Sequence, residues 1–414
     1  MFRAVMMFAL LLATLVATPL AAQDQPLQVY ILAGQSNMQG HAQVRTFPAL
    51  ALDPQTAHIL EMMQDDHGSP IVCEHVWISA LGAADGDEIE KCGQLTVGFG
   101  ALAREPKIGP EFTFGIYAQR YVDQPILIIK TAWGGKSLHT DFRPPSAGPF
   151  KFHPSQLAAL EQQGKDLDAV KAEKERETGR YYRLMIEHVK QVTADIKRVY
   201  PGYDPAQGYE LAGFVWFQGW NDMVDSGVYP QRSQPGGYDQ YSECLTHFIR
   251  DVRRDLNAPQ LPFVIGVMGV GGPTDLYPEH RRHEGVIHQN FRDAMAAPAA
   301  LPEFQGNVVA VLTEKFWDLE VVALREREEQ IKQHIHELRE QIKSGAITSE
   351  DGEAAIDALY RELFTPRELH VLRDSVSNAD YHYMGSAKIL AQIGKAFADA
   401  LRELRTHGSD HHGN

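Results

Sequence analysis

Two hydrophobic periods alternate along the chain. Five short runs are apolar at nearly every position and rich in β-branched residues: 29–33, 126–130, 211–217, 263–268 and 308–312, each closed by Gly, Pro or polar residues. Unbroken runs of this length predict strands buried on both faces. Apolar residues recur instead at three- and four-residue spacing over 112–121, 181–199, 238–256, 285–296 and 386–404. That period predicts amphipathic helices. Strands alternating with helices predict an α/β protein on a parallel sheet, and in such sheets functional residues gather at the carboxyl ends of the strands.

One segment departs from the alternation. Residues 319–363 are densely charged, and Leu324, Ile331, Ile335, Leu338 and Ile342 form a single apolar stripe. Gly345 breaks the pattern, Thr348 and Ser349 are candidate N-caps, and a second helix follows. The segment reads as an inserted helical hairpin, either a solvated packing element or a dimerisation element. The tail, 407–414, reads as disordered.

The first 22 residues change the picture of where the fold begins. Arg3 precedes an apolar run from Met6 to Val16, and small residues lead to Ala21-Ala22. This is the pattern of a secretory signal peptide cut after Ala22, and the run is short for a membrane anchor. The folded domain is then expected over 23–406, in a secreted or periplasmic protein. Export permits disulfides, and Cys73 and Cys92 flank one loop-rich stretch that a bridge would close. Cys244 falls in a helical pattern and reads as a buried residue.

Composition narrows the partners. The chain has 414 residues, 44% hydrophobic and 22% charged, with a net charge of -15. That is globular composition, and its acidity argues against nucleic acid or an anionic membrane surface as partner. Nothing in the pattern sets an oligomeric state.

Four strand-end stretches carry candidate chemistry. "AGQSNM" follows the first run, and Ser36 stands there at a helix start between Gln35 and Asn37. "TAWGGKSL" follows the second; Gly134 and Gly135 can bring backbone N–H groups close to a ligand. A phosphate loop is rejected, because the position six before Lys136 is Lys130 and not glycine. "VWFQGWNDM" follows the third run and offers Gln218 and Asn221 as amide donors. "SNADYHYMG" precedes the last helix and holds His382, with Asp380 two residues upstream. A serine needs a base, and a base needs an orienting partner, so Ser36, His382 and Asp380 form a candidate triad.

In this set of motifs the chain resembles the SGNH hydrolases, and within them the sialate O-acetylesterase and acetylxylan esterase branch. The resemblance runs from Gln35 to His382. It implies a three-layer α/β/α, flavodoxin-like fold with five parallel strands, and deacetylation of an acetylated oligo- or polysaccharide without metal or cofactor. It maps the nucleophile onto Ser36 and the base onto His382. The oxyanion donors map onto the Ser36 N–H, a glycine N–H at Gly134 or Gly135, and Gln218, with Asn221 as rival. Gln35, Asn37, Trp133, Lys136 and Arg143 are candidate substrate contacts. Two departures stand out: the acid expected three residues before the histidine is Ala379, and Trp220 replaces the glutamate that often follows "QG". The alternatives are an inactive carbohydrate-binding protein on this fold, or a short-chain lipase or thioesterase.

Overall fold

The computed structural model describes residues 25–410, with side chains to residue 406. The expected signal peptide and its cleavage site lie outside the described residues. A seven-stranded sheet forms from β1 (Leu27–Gly34), β2 (Val76–Leu81), β3 (Glu90–Gln94), β4 (Ile126–Ala132), β5 (Tyr209–Phe217), β6 (Phe263–Val267) and β7 (Val308–Leu312). Their spatial order is β3-β2-β4-β1-β5-β6-β7, and only β3 runs antiparallel. All five apolar runs are strands, in the order second, first, third, fourth, fifth. The expectation of five strands was too few: β2 adds a sixth parallel strand, and β3, a polar edge strand (EKCGQ), a seventh.

Side-chain alternation along β5 separates two helical layers. Phe214 and Trp216 pack on Phe248 of one layer, whereas Phe217 packs on Phe397 of the other. The first layer holds α3 (Arg180–Ala194), α5 (Asp239–Asp255) and α6 (Arg282–Ala296). The second holds α2 (Glu111–Gln119) and α9 (Ala387–Asp410). The two short helices α1 (Ser36–Gln39) and α4 (Trp220–Val224) sit between strand ends and layers. α9 runs to Asp410, past the end of the helical sequence pattern at residue 404 and into the tail expected to be disordered. Gly213 lets α9 approach β5, since a Cβ there would meet Leu401 at 2.6 Å.

The charged segment consists of α7 (Leu319–Ser344) and α8 (Ser349–Leu363), joined across Gly345, whose φ of 75° is left-handed. Asp318 and Thr348 cap their amino ends. Val321, Leu324 and Ile335 are buried while the tip is solvated. Cys73, Cys92 and Cys244 are free thiols. The Cys73–Cys92 bridge that the sequence left open is not formed, because the ladder separates the pair. Cys73 donates its N–H to Leu95, whereas Cys92 stands opposite Ser79 on the exposed edge. Burial pushes the Cys73 and Cys244 thiols up to about 12.

One buried ion pair fixes the strand-end region to the sheet. Lys130, 1% exposed, meets Glu111 at 2.7 Å and donates to the carbonyls of Gln39 and Phe99, each at 2.8 Å. Its bond to Gln39 holds the carboxyl end of α1. Removing one partner leaves an uncompensated buried charge. Glu111→Ala is expected to lower unfolding free energy by about 3 kcal/mol or more. Urea titration checks this; a loss below about 1 kcal/mol would show that the pair is not structurally important.

Candidate active site

Register brings three loops to one level. On adjacent strands Gly34 stands between Ala132 and Phe217, so residues 35–37, 133–136 and 218–222 leave the sheet side by side. The strand order reverses across β1, the place where open α/β sheets form a crevice. Gly34 is confined there: a Cβ would lie 2.1 Å from the Phe217 carbonyl.

Buried amides and one carboxylate join these loops. The Gln35 Oε1 accepts from Gln218 Nε2 at 3.1 Å, Gly219 N at 3.1 Å and Asn221 N at 3.3 Å. The Gln35 Nε2 donates to Asn221 Oδ1 at 2.9 Å. Asp222, fully buried, accepts from Leu138 N at 2.7 Å, His139 N at 3.0 Å, Gln218 Nε2 at 2.6 Å and Tyr229 OH at 3.1 Å. Burial raises its pKa, against His139 and these donors. The sequence pattern singles out Gln218 and Asn221 in this stretch and not Asp222; that Asp222 carries the junction shows only in the fold.

Ser36 heads α1 and is 6% exposed. Its Oγ lies 3.5 Å from Gln35 Nε2. Gly134 is its neighbour: a Cβ there would stand 3.9 Å from Ser36 Cβ. Gly135 takes a φ of 74°, which favours glycine. The N–H groups of Ser36 and Gly134 and the Asn221 amide nitrogen have no partner among the described residues. Gln218 differs. Its amide nitrogen already serves Gln35, Asp222 and the Lys136 carbonyl at 3.1 Å. Of the two rival amides, Asn221 is the one with donor capacity left.

The expected substrate contacts divide similarly. Gln35 is a junction residue. Asn37 is buried, with its Oδ1 unpartnered among the described residues. Trp133 is 3% exposed and donates to the Asp87 carbonyl at 2.8 Å, so it is a core residue. Arg143 holds its own loop through the carbonyls of Gly148 at 2.7 Å and Ala147 at 2.8 Å. Lys136 stays half-buried with its ammonium 4.3 Å from the centre of the Tyr181 ring.

The histidine loop corrects the expected acid. Asp380 is ion-paired to Arg325, at 2.5 Å and well exposed. His382 Nδ1 instead meets Asn378 Oδ1 at 2.9 Å. That oxygen also accepts the Ala379 N–H at 2.8 Å, which identifies it as the carbonyl end of the amide. The Nδ1 must therefore carry the proton, and the lone pair sits on Nε2. One residue of offset turned Asp380 away. A tight 3-10 turn over 380–385 brings Asn378, four residues upstream, behind the ring. Tyr383 and Met384 hold left-handed backbone at φ of 51° and 59°. That strain is anchored: the buried Tyr383 hydroxyl accepts from Gly269 N and bonds Thr313 Oγ1, both at 2.7 Å.

The His382 ring stacks on His41, five residues beyond Ser36, at 3.8 Å between centroids and 3° between planes. No direct hydrogen bond joins Ser36 to His382 among the described residues; such contacts often tighten only when substrate binds.

The profile of a carbohydrate esterase family described as sialic acid-specific acetylesterase matches residues 26–300. The chain belongs to this family. This esterase is a carboxylic ester hydrolase of the carbohydrate class. Among solved structures it is similar to an Arabidopsis thaliana protein (18% identity, 70% of this chain and 86% of that one, TM-score 0.36). It is also similar to a carbohydrate acetylesterase from Xanthomonas citri (14%, 68% and 49%, TM-score 0.35) and to NanS (13%, 69% and 78%, TM-score 0.37). No curated protein matches the chain.

The stacked histidines give the esterase a pH signature. Burial, followed by the charge of His382, pulls the pKa of His41 down to about 3; burial, followed by Lys107, pulls His382 to about 4. Both rings stay neutral in the fold while an unfolded chain binds protons near pH 6.5. Stability is therefore lost as pH falls from about 6.5 towards 4. Calorimetry should show Tm dropping across that window, and His41→Phe should flatten the drop; an unchanged slope would contradict the assignment.

Proposed function

We propose that the protein is a serine esterase that removes O-acetyl groups from carbohydrate through an acetyl-enzyme on Ser36. The observation that carries this is the fixed tautomer of His382, whose free Nε2 belongs to the loop stacked beside α1. Ser36 Oγ attacks the acetyl carbonyl as His382 Nε2 takes its proton. The oxyanion is met by the N–H groups of Ser36 and Gly134 and by the Asn221 amide, each contributing about 3 kcal/mol when well placed. Collapse breaks the ester bond, and the imidazolium protonates the leaving sugar oxygen. Water, deprotonated by His382, then attacks the acetyl carbon and releases acetate and Ser36.

The base works as a dyad in this reading, with Asn378 as a positioning residue. A neutral amide fixes the ring but does not stabilise the imidazolium as a carboxylate would. Activity on 4-nitrophenyl acetate should therefore persist down to about pH 4, where His382 protonates. Asn378→Asp should move that acid limb upward in the kcat/KM profile. Ser36→Ala should lower turnover at least about 10³-fold. An acid limb unmoved in Asn378→Asp removes Asn378 from the mechanism, and undiminished turnover in Ser36→Ala removes the nucleophile.

We read residues 1–22 as an export leader, because a charged start, a short apolar run and small residues precede the fold. Amino-terminal sequencing of the protein secreted by its host should begin at Gln23; recovery of an intact Met1 would refute cleavage.

A further inference from the structure

A cavity of about 390 Å³ opens beside the histidine loop, large enough for a sugar ring. It borders the candidate active site through Trp220 and Tyr381, the chain neighbours of Asn221 and His382. The Tyr381 ring lies edge-on to His382 at 4.4 Å and 5.7 Å from Trp220, and both Tyr381 and Trp220 line the cavity. Trp220 stands where the related pattern carries a glutamate, directly before the donor Asn221. The opposite wall is the amino-terminal part of α7, so the charged hairpin is rooted in this pocket.

The lining has two distinctive properties. Leu276, Leu319 and Tyr381 border it and are 57%, 46% and 44% exposed. Large apolar side chains left uncovered together mark a contact surface. Its charges are two arginines, Arg281 and Arg325, against four carboxylates, Glu284, Glu326, Glu329 and Asp380. Both guanidinium groups are already held: Arg281 by Glu284 at 2.8 and 2.7 Å, and Arg325 by Asp380. Glu329 is held in turn by Lys332 at 2.8 Å. No cation of the lining is left over for an anionic ligand, and Glu326, without an ion pair among the described residues, repels one.

We propose that this cavity binds the sugar bearing the acetyl group and selects a neutral ring over a carboxylated one. Aromatic faces at Trp220 and Tyr381 cover the apolar C–H face of the ring, and the carboxylates accept its hydroxyl protons. This rests on the esterase reading above and adds the substrate class to it.

The test compares kcat/KM for acetylated xylo-oligosaccharide, O-acetylated sialic acid and 4-nitrophenyl acetate. The neutral oligosaccharide should exceed the sialic acid ester by about tenfold or more. Leu276→Asp should reduce the ratio of oligosaccharide to 4-nitrophenyl acetate turnover about tenfold. Glu326→Lys with Glu329→Lys, both on solvated positions, should raise the ratio of sialic acid ester to neutral ester. A preference for the sialic acid ester, or ratios that none of these changes moves, overturns the inference. Absence of 4-nitrophenyl acetate turnover in the unaltered protein would instead overturn the esterase reading on which it stands.

Discussion

Asp222 holds the strand-end loops in one arrangement. Its carboxylate is fully buried and receives four donors, two of them backbone N–H groups of the loop after β4. A buried charge is tolerable only when its lone pairs are satisfied, so these loops have one arrangement in which they can be dry. Gln35 completes the junction by tying the loop after β1 to the loop after β5. With both residues in place, Ser36, Gly134 and Asn221 stand at one strand-end junction, and the N–H groups of Ser36 and Gly134 and the Asn221 amide nitrogen keep no partner among the described residues. Their donors remain available for chemistry because neighbours do the structural work.

The histidine side is held by different physics. Left-handed backbone at Tyr383 and Met384 costs roughly 1–3 kcal/mol per residue, and the buried Tyr383 hydroxyl offsets it by bonding the ends of β6 and β7. The same kink removes Asp380 from the ring and brings Asn378 to it. The carboxyl expected behind the base therefore serves Arg325 on α7, linking the charged hairpin to the histidine loop. Replacing an acid by an amide lowers the basicity of His382 but leaves it unprotonated in mildly acidic solution. The stacked neutral His41 fits this, since two imidazolium rings at that separation would repel.

Much of this was legible in the sequence. The five apolar runs were strands because continuous burial leaves an unmistakable pattern; Ser36 and Gly134 stood out by falling at strand-end positions, and His382 as a histidine just before the last helix. β2 escaped notice because Ser79 interrupts its apolar run, and β3 because an exposed edge strand needs no apolar period at all. Asp222 and Asn378 were visible as letters but not as roles. The first did not stand out because two of its four donors come from a loop more than eighty positions away. The second lay at a spacing that makes sense only after two left-handed residues fold the loop back. Trp133 and Arg143 misled for the opposite reason: residues suited to sugar contact were absorbed into core and loop packing.

In the proposed mechanism, acetyl transfer passes through Ser36 with His382 as a base oriented by an amide. Rapid quenching of the reaction with 4-nitrophenyl acetate, followed by peptide mass spectrometry, tests it most directly. One acetyl group is expected on the peptide carrying Ser36, formed in the first turnover and accumulating further when Asn378→Ala slows its hydrolysis. Full turnover with the acetyl group on another residue, or with no acetylated peptide in either protein, would contradict it.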